Sequence, residues 1–188
     1  MFYNNLNNQK GFTLLEMLIA VSLFTIVMLV STTMFIRSMD IQARSVNSRN
    51  LQESLNYSLA LMSSEAAGAV QDPTTCLLTL DCTDATQFFC SYSSGTKLTY
   101  KNTAGLCVIY ELENDANGIS RLKMRRNGVY AYLTPPSMQV SSLKFSTGNV
   151  DDATYPIGVV TMSITGQTLS GQEYPETFML QTSVATTP

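Results

Sequence analysis

Glu16, four cysteines (Cys76, Cys82, Cys90 and Cys107) and a basic row (Arg121, Lys123, Arg125 and Arg126) are the residues whose type and spacing suggest chemistry. The chain of 188 residues has no histidine, which removes the commonest general base and the commonest metal ligand together. Lys97, Lys101, Lys123 and Lys144 stand in strand-like contexts without an S-x-x-K motif, and no glycine-rich phosphate loop occurs. Neither an enzyme nor a cofactor is expected.

The cysteines are separated by 5, 7 and 16 residues with no C-x-x-C. Without histidine this spacing fits two disulfides in an oxidising compartment better than a zinc site. Of the three possible connectivities, Cys76–Cys82 with Cys90–Cys107 is the one expected. Arg121, Lys123 and Arg125 alternate and so share one face of a strand, with Arg126 extending the cluster. Such a row can meet nucleic-acid phosphate. In a chain of net charge −3, a solvated sheet face is the expected reading. The stretch "ENDANG", residues 113–118, lacks the closing glutamate of a calcium loop and reads as a hairpin turn. Asp151-Asp152 reads as a loop, and no metal site is expected.

Glu16 is the only charged residue between positions 12 and 36, and "MLIAVSLFTIVMLV" follows it directly. The run is long enough to cross a bilayer as a helix, which needs about 20 apolar residues. It is too long for the core of a cleaved secretory signal, and no A-x-A-like site follows. Thr13-Leu14-Leu15-Glu16 fits a capping box, with Thr13 as N-cap and Glu16 three residues on. An acid there also suits the positive end of the helix dipole. An ionisable residue in a spanning segment asks for a functional partner, and a cation at the same depth would serve. The flanking charges disagree with the cysteines about orientation. Lys10 precedes the segment and Arg37, Arg44 and Arg49 follow it, so a count of basic residues places the C-terminal part inside. Disulfides place it outside, and they carry more weight here.

The stretch "QKGFTLLEMLIAVSLFTIVMLV", residues 9–30, resembles the N-terminal signature of type IV pilins and of the pseudopilins of type II secretion. That signature is a short polar leader ending in glycine, a hydrophobic first mature residue, a glutamate four positions later and a long apolar helix. Gly11, Phe12 and Glu16 match it in register, over about the first fifth of the chain. The resemblance implies cleavage by a prepilin peptidase between Gly11 and Phe12, N-methylation of the new amine, and pairing of Glu16 with an N-terminal amine of a neighbouring subunit. The chain departs from many main pilin subunits in having no proline before Pro73, so no proline bends the helix.

The elements that position these residues divide into a spine and a head. No glycine or proline occurs between Gly11 and Gly68, and Leu51, Leu55, Leu59, Met62 and Ala66 recur at helical spacing. One helix is expected from about residue 13 to about residue 69, some 80–90 Å long at 1.5 Å per residue. A break near residues 37–49 is the alternative. Beyond Pro73 the stretches "QFFCSY", "TKLTY", "LCVIYELE", "ISRLKMRR", "VYAYLT", "QVSSLKFS", "IGVVTMSIT" and "ETFMLQTSV" read as strands. Asn-Gly at 117–118 and 127–128 predicts that 106–113 pairs with 119–126, and 119–126 with 129–133. The expected fold is α+β: a long N-terminal helix, membrane-spanning then amphipathic, packed on an antiparallel sheet. The expected divisions are a leader at 1–11, a membrane and assembly segment at 12–36, an amphipathic continuation at 37–72 and a β head at 73–188. The order of head elements is similar to that of the larger minor subunits, J-type pseudopilins and W-type minor pilins.

The functional expectation is a minor pilin-like or pseudopilin subunit. It would sit in the bacterial inner membrane with an extracytoplasmic head and then enter a pilus or pseudopilus, in a priming or tip role. The expected partners are sibling subunits, prepilin peptidase, the inner-membrane assembly platform and membrane lipid. The alternative is a single-span anchored binding protein, such as a DNA or surface receptor acting through residues 121–126.

Overall fold

The computed structural model describes residues 11–76, 85–150, 156–169 and 176–186. Helix α1 (Leu14–Ala66) is followed by β1 (Ala69–Val70), a short 3-10 helix (Pro73–Cys76), β2 (Phe89–Tyr92), β3 (Lys97–Asn102) and β4 (Cys107–Asn114). The chain continues through β5 (Ser120–Arg126), β6 (Val129–Tyr132), β7 (Met138–Val150), β8 (Ile157–Thr168) and β9 (Thr177–Ala185). The architecture is α+β, and α1 is continuous through residues 37–49. Nothing in its sequence interrupts it, because the helix contains neither glycine nor proline. By contact density the chain divides into two units, Met1–Ser45 and Val46–Pro188.

In the first unit every described side chain is exposed. The helix satisfies its own backbone, and its hydroxyls do the same for themselves. Ser22, Thr25 and Thr32 donate to the carbonyls of Ile19, Ser22 and Met28, each at 2.8 Å, and Thr33 donates to that of Leu29. These four hydroxyls are thereby satisfied within the helix and need no water.

In the second unit, Leu51, Leu55, Leu59, Met62 and Ala66 form one buried stripe of α1. They share a single core with Phe89, Leu98, Tyr100, Val108, Tyr110 and Leu122 from one sheet, and with Met138, Val140, Leu143, Phe145, Val160, Met162 and Ile164 from another. Gly166 on β8 permits that packing. A Cβ there would lie 3.0–3.1 Å from the side chains of Leu55 and Met138.

The head contains two antiparallel sheets, where one was expected. The first has the order β1-β3-β4-β5-β6 with β2 also paired to β3, and the second has the order β7-β8-β9. Pro135-Pro136 explains the division. Two residues without N–H donors follow β6, so the chain cannot continue the ladder and leaves the sheet. The predicted hairpins form in register, with Arg126 opposite Val129 and Asn114 opposite Ser120. Asn127 and Gly128 have φ of 47° and 81°, the paired positive values that a two-residue type I′ turn demands. The two sheets also meet at the β2–β3 turn, where the Phe145 N–H donates to the Gly95 carbonyl at 2.6 Å.

Cys76 bonds to Cys107, with Cα atoms 5.3 Å apart, which corrects the expected pairing of Cys76 with Cys82 and Cys90 with Cys107. The reason is topological. The 3-10 helix ending at Cys76 is brought beside the first residue of β4, so spatial proximity overrides the short sequence loops. Cys90 is also disulfide-bonded, and Cys82 lies outside the described residues.

Candidate assembly site and the charged sheet face

The start of α1 is built from four residues. Residues 11–13 precede the helix without regular structure, Phe12 is 80% exposed, and Gly11 has open space around it. Thr13 and Glu16 exchange hydrogen bonds. The Glu16 N–H donates to Thr13 Oγ1, and the Thr13 N–H and hydroxyl both donate to Glu16 Oε2, each at 3.3 Å. The carboxylate thus occupies two donors at the positive end of the helix while staying open to other cations. Behind it, α1 is long and apolar enough to cross a membrane, with a window of mean hydropathy 2.4 that is 0% buried. Chemically this is an exposed Gly11-Phe12 peptide bond about one helical turn from an exposed acid.

The basic row lies on β5, and each of its cations meets a partner. Arg121 donates through Nε to the Thr134 carbonyl at 2.9 Å, lies 3.7 Å from Asp115 and stacks 4.3 Å from the Tyr132 ring centre. Lys123 pairs with Glu113 and sits 4.4 Å from the Tyr130 ring centre. Arg125 reaches Glu111 at 3.6 Å, and the same acid binds Lys97 at 2.7 Å. The bond to Glu111 raises the Lys97 pKa. The face is therefore a ladder of neutralised pairs capped by tyrosine rings. Lys123 is only 6% exposed, so the row is not uniformly solvated as expected. In the "ENDANG" turn, Asp115 Oδ1 accepts from the N–H groups of Asn117 and Ile119 at 2.8 and 3.0 Å. That use of the carboxylate is a hairpin turn held by an aspartate.

Arg126 turns to the other face of β5 and pairs with Glu65 of α1. Glu65 also accepts from the hydroxyls of Tyr110 at 2.6 Å and Tyr100 at 3.5 Å. One carboxylate from the helix thereby gathers three donors from three strands of the first sheet. Burial is the first cause that raises the Tyr100 and Tyr110 pKa values far above their ordinary range; next, the bond to Tyr110 lowers that of Tyr100, and the nearness of Tyr100 raises that of Tyr110. The bond to Glu65 raises that of Arg126. Glu65 escaped the sequence reading. Its only signal is position, three residues after Met62 and one before Ala66, on the edge of the buried stripe.

Among the described residues no group of His, Cys, Asp or Glu is placed to hold a metal ion. Residues 6–32 match the family described as the prokaryotic N-terminal methylation motif, a span that takes in Gly11, Phe12, Thr13 and Glu16. No curated protein and no solved structure matches the chain. The methylation motif matched over residues 6–32 and an exposed apolar helix long enough to cross a membrane are features similar to those of type IV pilin-like proteins, and they fit processing as a prepilin and membrane anchoring.

Proposed function

We propose that the protein is a minor type IV pilin-like or pseudopilin subunit. Prepilin peptidase cuts between Gly11 and Phe12, and the Phe12 amine is methylated. The subunit waits in the bacterial inner membrane as a single-span protein with its head outside the cytoplasm, and the assembly platform then draws it into a pilus or pseudopilus. In the fibre, the Glu16 carboxylate pairs with the Phe12 amine of a neighbour. That pairing offsets the cost of carrying a charge among apolar stems, about 2.5–3.5 kcal/mol or more when the charge is alone.

The observation that carries this reading is the open Thr13–Glu16 cap beside Gly11-Phe12, at the head of an apolar helix whose residues 12–36 are all exposed. The Cys76–Cys107 bond supports the external head against the count of basic residues. The pairing of Arg121, Lys123, Arg125 and Arg126 with Asp115, Glu113, Glu111 and Glu65 supports assembly over nucleic-acid contact. Mass spectrometry after co-expression with a prepilin peptidase tests the reading. A chain beginning at Phe12 and one methyl group heavier is expected; a chain still beginning at Met1 in processed membranes contradicts it.

A further inference from the structure

Two charges bracket the apolar stem one hydrocarbon thickness apart. Residues 17–36 hold no charged side chain, and all are exposed. From Glu16 to Arg37 the helix rises about 31 Å at 1.5 Å per residue, against about 30 Å for the hydrocarbon core of a bilayer. A helix seated with Glu16 at one interface has Arg37 at the other. Arg37 is exposed and forms no ion pair among the described residues. Its guanidinium presents a planar fork of donors suited to a phosphate.

We propose that Arg37 binds a phospholipid phosphate in the leaflet at the C-terminal end of the span, and that this contact and Glu16 together fix the depth of the stem. The proposal rests on the membrane-spanning reading above. Sliding by one helical turn in either direction draws one of the two charges about 5.4 Å into hydrocarbon. Glu16 is therefore solvated in the waiting subunit and enters an apolar setting only when the stem moves. Without Arg37, the next charge that stops inward sliding is Asp40, three residues on.

The chain has no tryptophan, so Phe24→Trp supplies a single indole inside the stem. Full-length protein carrying it is placed in phosphatidylcholine–phosphatidylglycerol vesicles with quenchers at graded acyl depths. The added change Arg37→Leu should shift the indole by about 4–5 Å, three residues of helix rise, while Arg37→Lys should leave its depth unchanged. An unmoved indole in Arg37→Leu overturns the depth role and leaves the spanning reading intact. An indole that no acyl label quenches overturns the spanning reading itself. In solid-state NMR of arginine-labelled protein, guanidinium 13C signals should be dephased by lipid 31P, and Arg37→Lys should remove the largest part of that effect. Dephasing equal in both proteins overturns the phosphate contact.

Discussion

Leu15, Leu18 and Ile19 near the start of α1 are 69, 62 and 52% exposed, whereas Leu51, Leu55 and Leu59 near its end are 2, 0 and 6% exposed. The same residue types in the same helix meet opposite fates. The late ones are spaced to face two sheets, and the early ones are buried by none of the described residues. Burying a leucine is worth about 1.5–3 kcal/mol, so the second unit gains stability from its leucines, while the first gains none from the described residues and, in the proposed function, is covered by lipid or by other stems. The acids repeat the contrast. Glu65 is committed to three donors inside the head, and Glu16 is bound only to its own helix cap and stays open.

Deleting the same atoms in each region should have different consequences. Leu55→Ala should lower head stability by about 3–5 kcal/mol, because Leu55 is wholly buried against α1's partner sheets. Leu23→Ala, on the exposed stem, should leave the denaturant midpoint of the head unchanged in detergent. Joint replacement of Cys76 and Cys107 by serine should cost about 2–4 kcal/mol in the same unfolding assay, since the bond closes a sequence separation of 31.

The Glu65 network contributes on a smaller scale. Tyr110→Phe removes a hydrogen bond to a carboxylate and should cost about 1–2 kcal/mol. Alkaline titration reads the same network without mutation. Tyr100 and Tyr110 have folded pKa values raised above 10.0, so their contribution is complete below pH 10. Above it the unfolded chain releases protons that the folded head retains, and stability falls as pH rises. In the difference between the native chain and Tyr110→Phe, the tyrosinate absorbance of Tyr110 should therefore appear together with loss of near-ultraviolet dichroism rather than ahead of it. The smallest effect belongs to Arg125→Ala, which should change stability by no more than about 0.5 kcal/mol, because its pair with Glu111 is half exposed and 3.6 Å long.

The regular parts of this fold are the parts that local chemistry specifies. An unbroken run without glycine or proline yields one helix, Asn127-Gly128 yields a tight hairpin, and alternating β-branched and aromatic stretches yield strands where they were expected. Features that depend on which elements meet in space were not legible. The bond from Cys76 to Cys107 requires the 3-10 helix to lie beside β4, which no spacing of cysteines reveals. The division into two sheets was written in Pro135-Pro136, yet two prolines between strand-like runs mark only a break and not a change of partner. Lys123 reads as a surface cation until Tyr130 and Glu113 are seen to cover it. Glu65 reads as a solvated helix acid until Tyr100, Tyr110 and Arg126 converge on it. The residues at the start of α1 were easier to recognise because their meaning lies in their order along the chain, from Gly11 and Phe12 to Thr13 and Glu16.

In the proposed function, an open carboxylate beside a proteolytically made amine turns an exposed stem into an assembly element. The most direct measurement is the amount of Glu16→Gln protein in sheared fibres relative to the amount in membranes, at equal expression and with the N-terminus of each pool determined. Normal processing to Phe12, a normal membrane level and at least about a tenfold drop in the fibre fraction are expected, the ratio that corresponds to 1.4 kcal/mol. Glu16→Gln entering fibres as well as the native chain would contradict it.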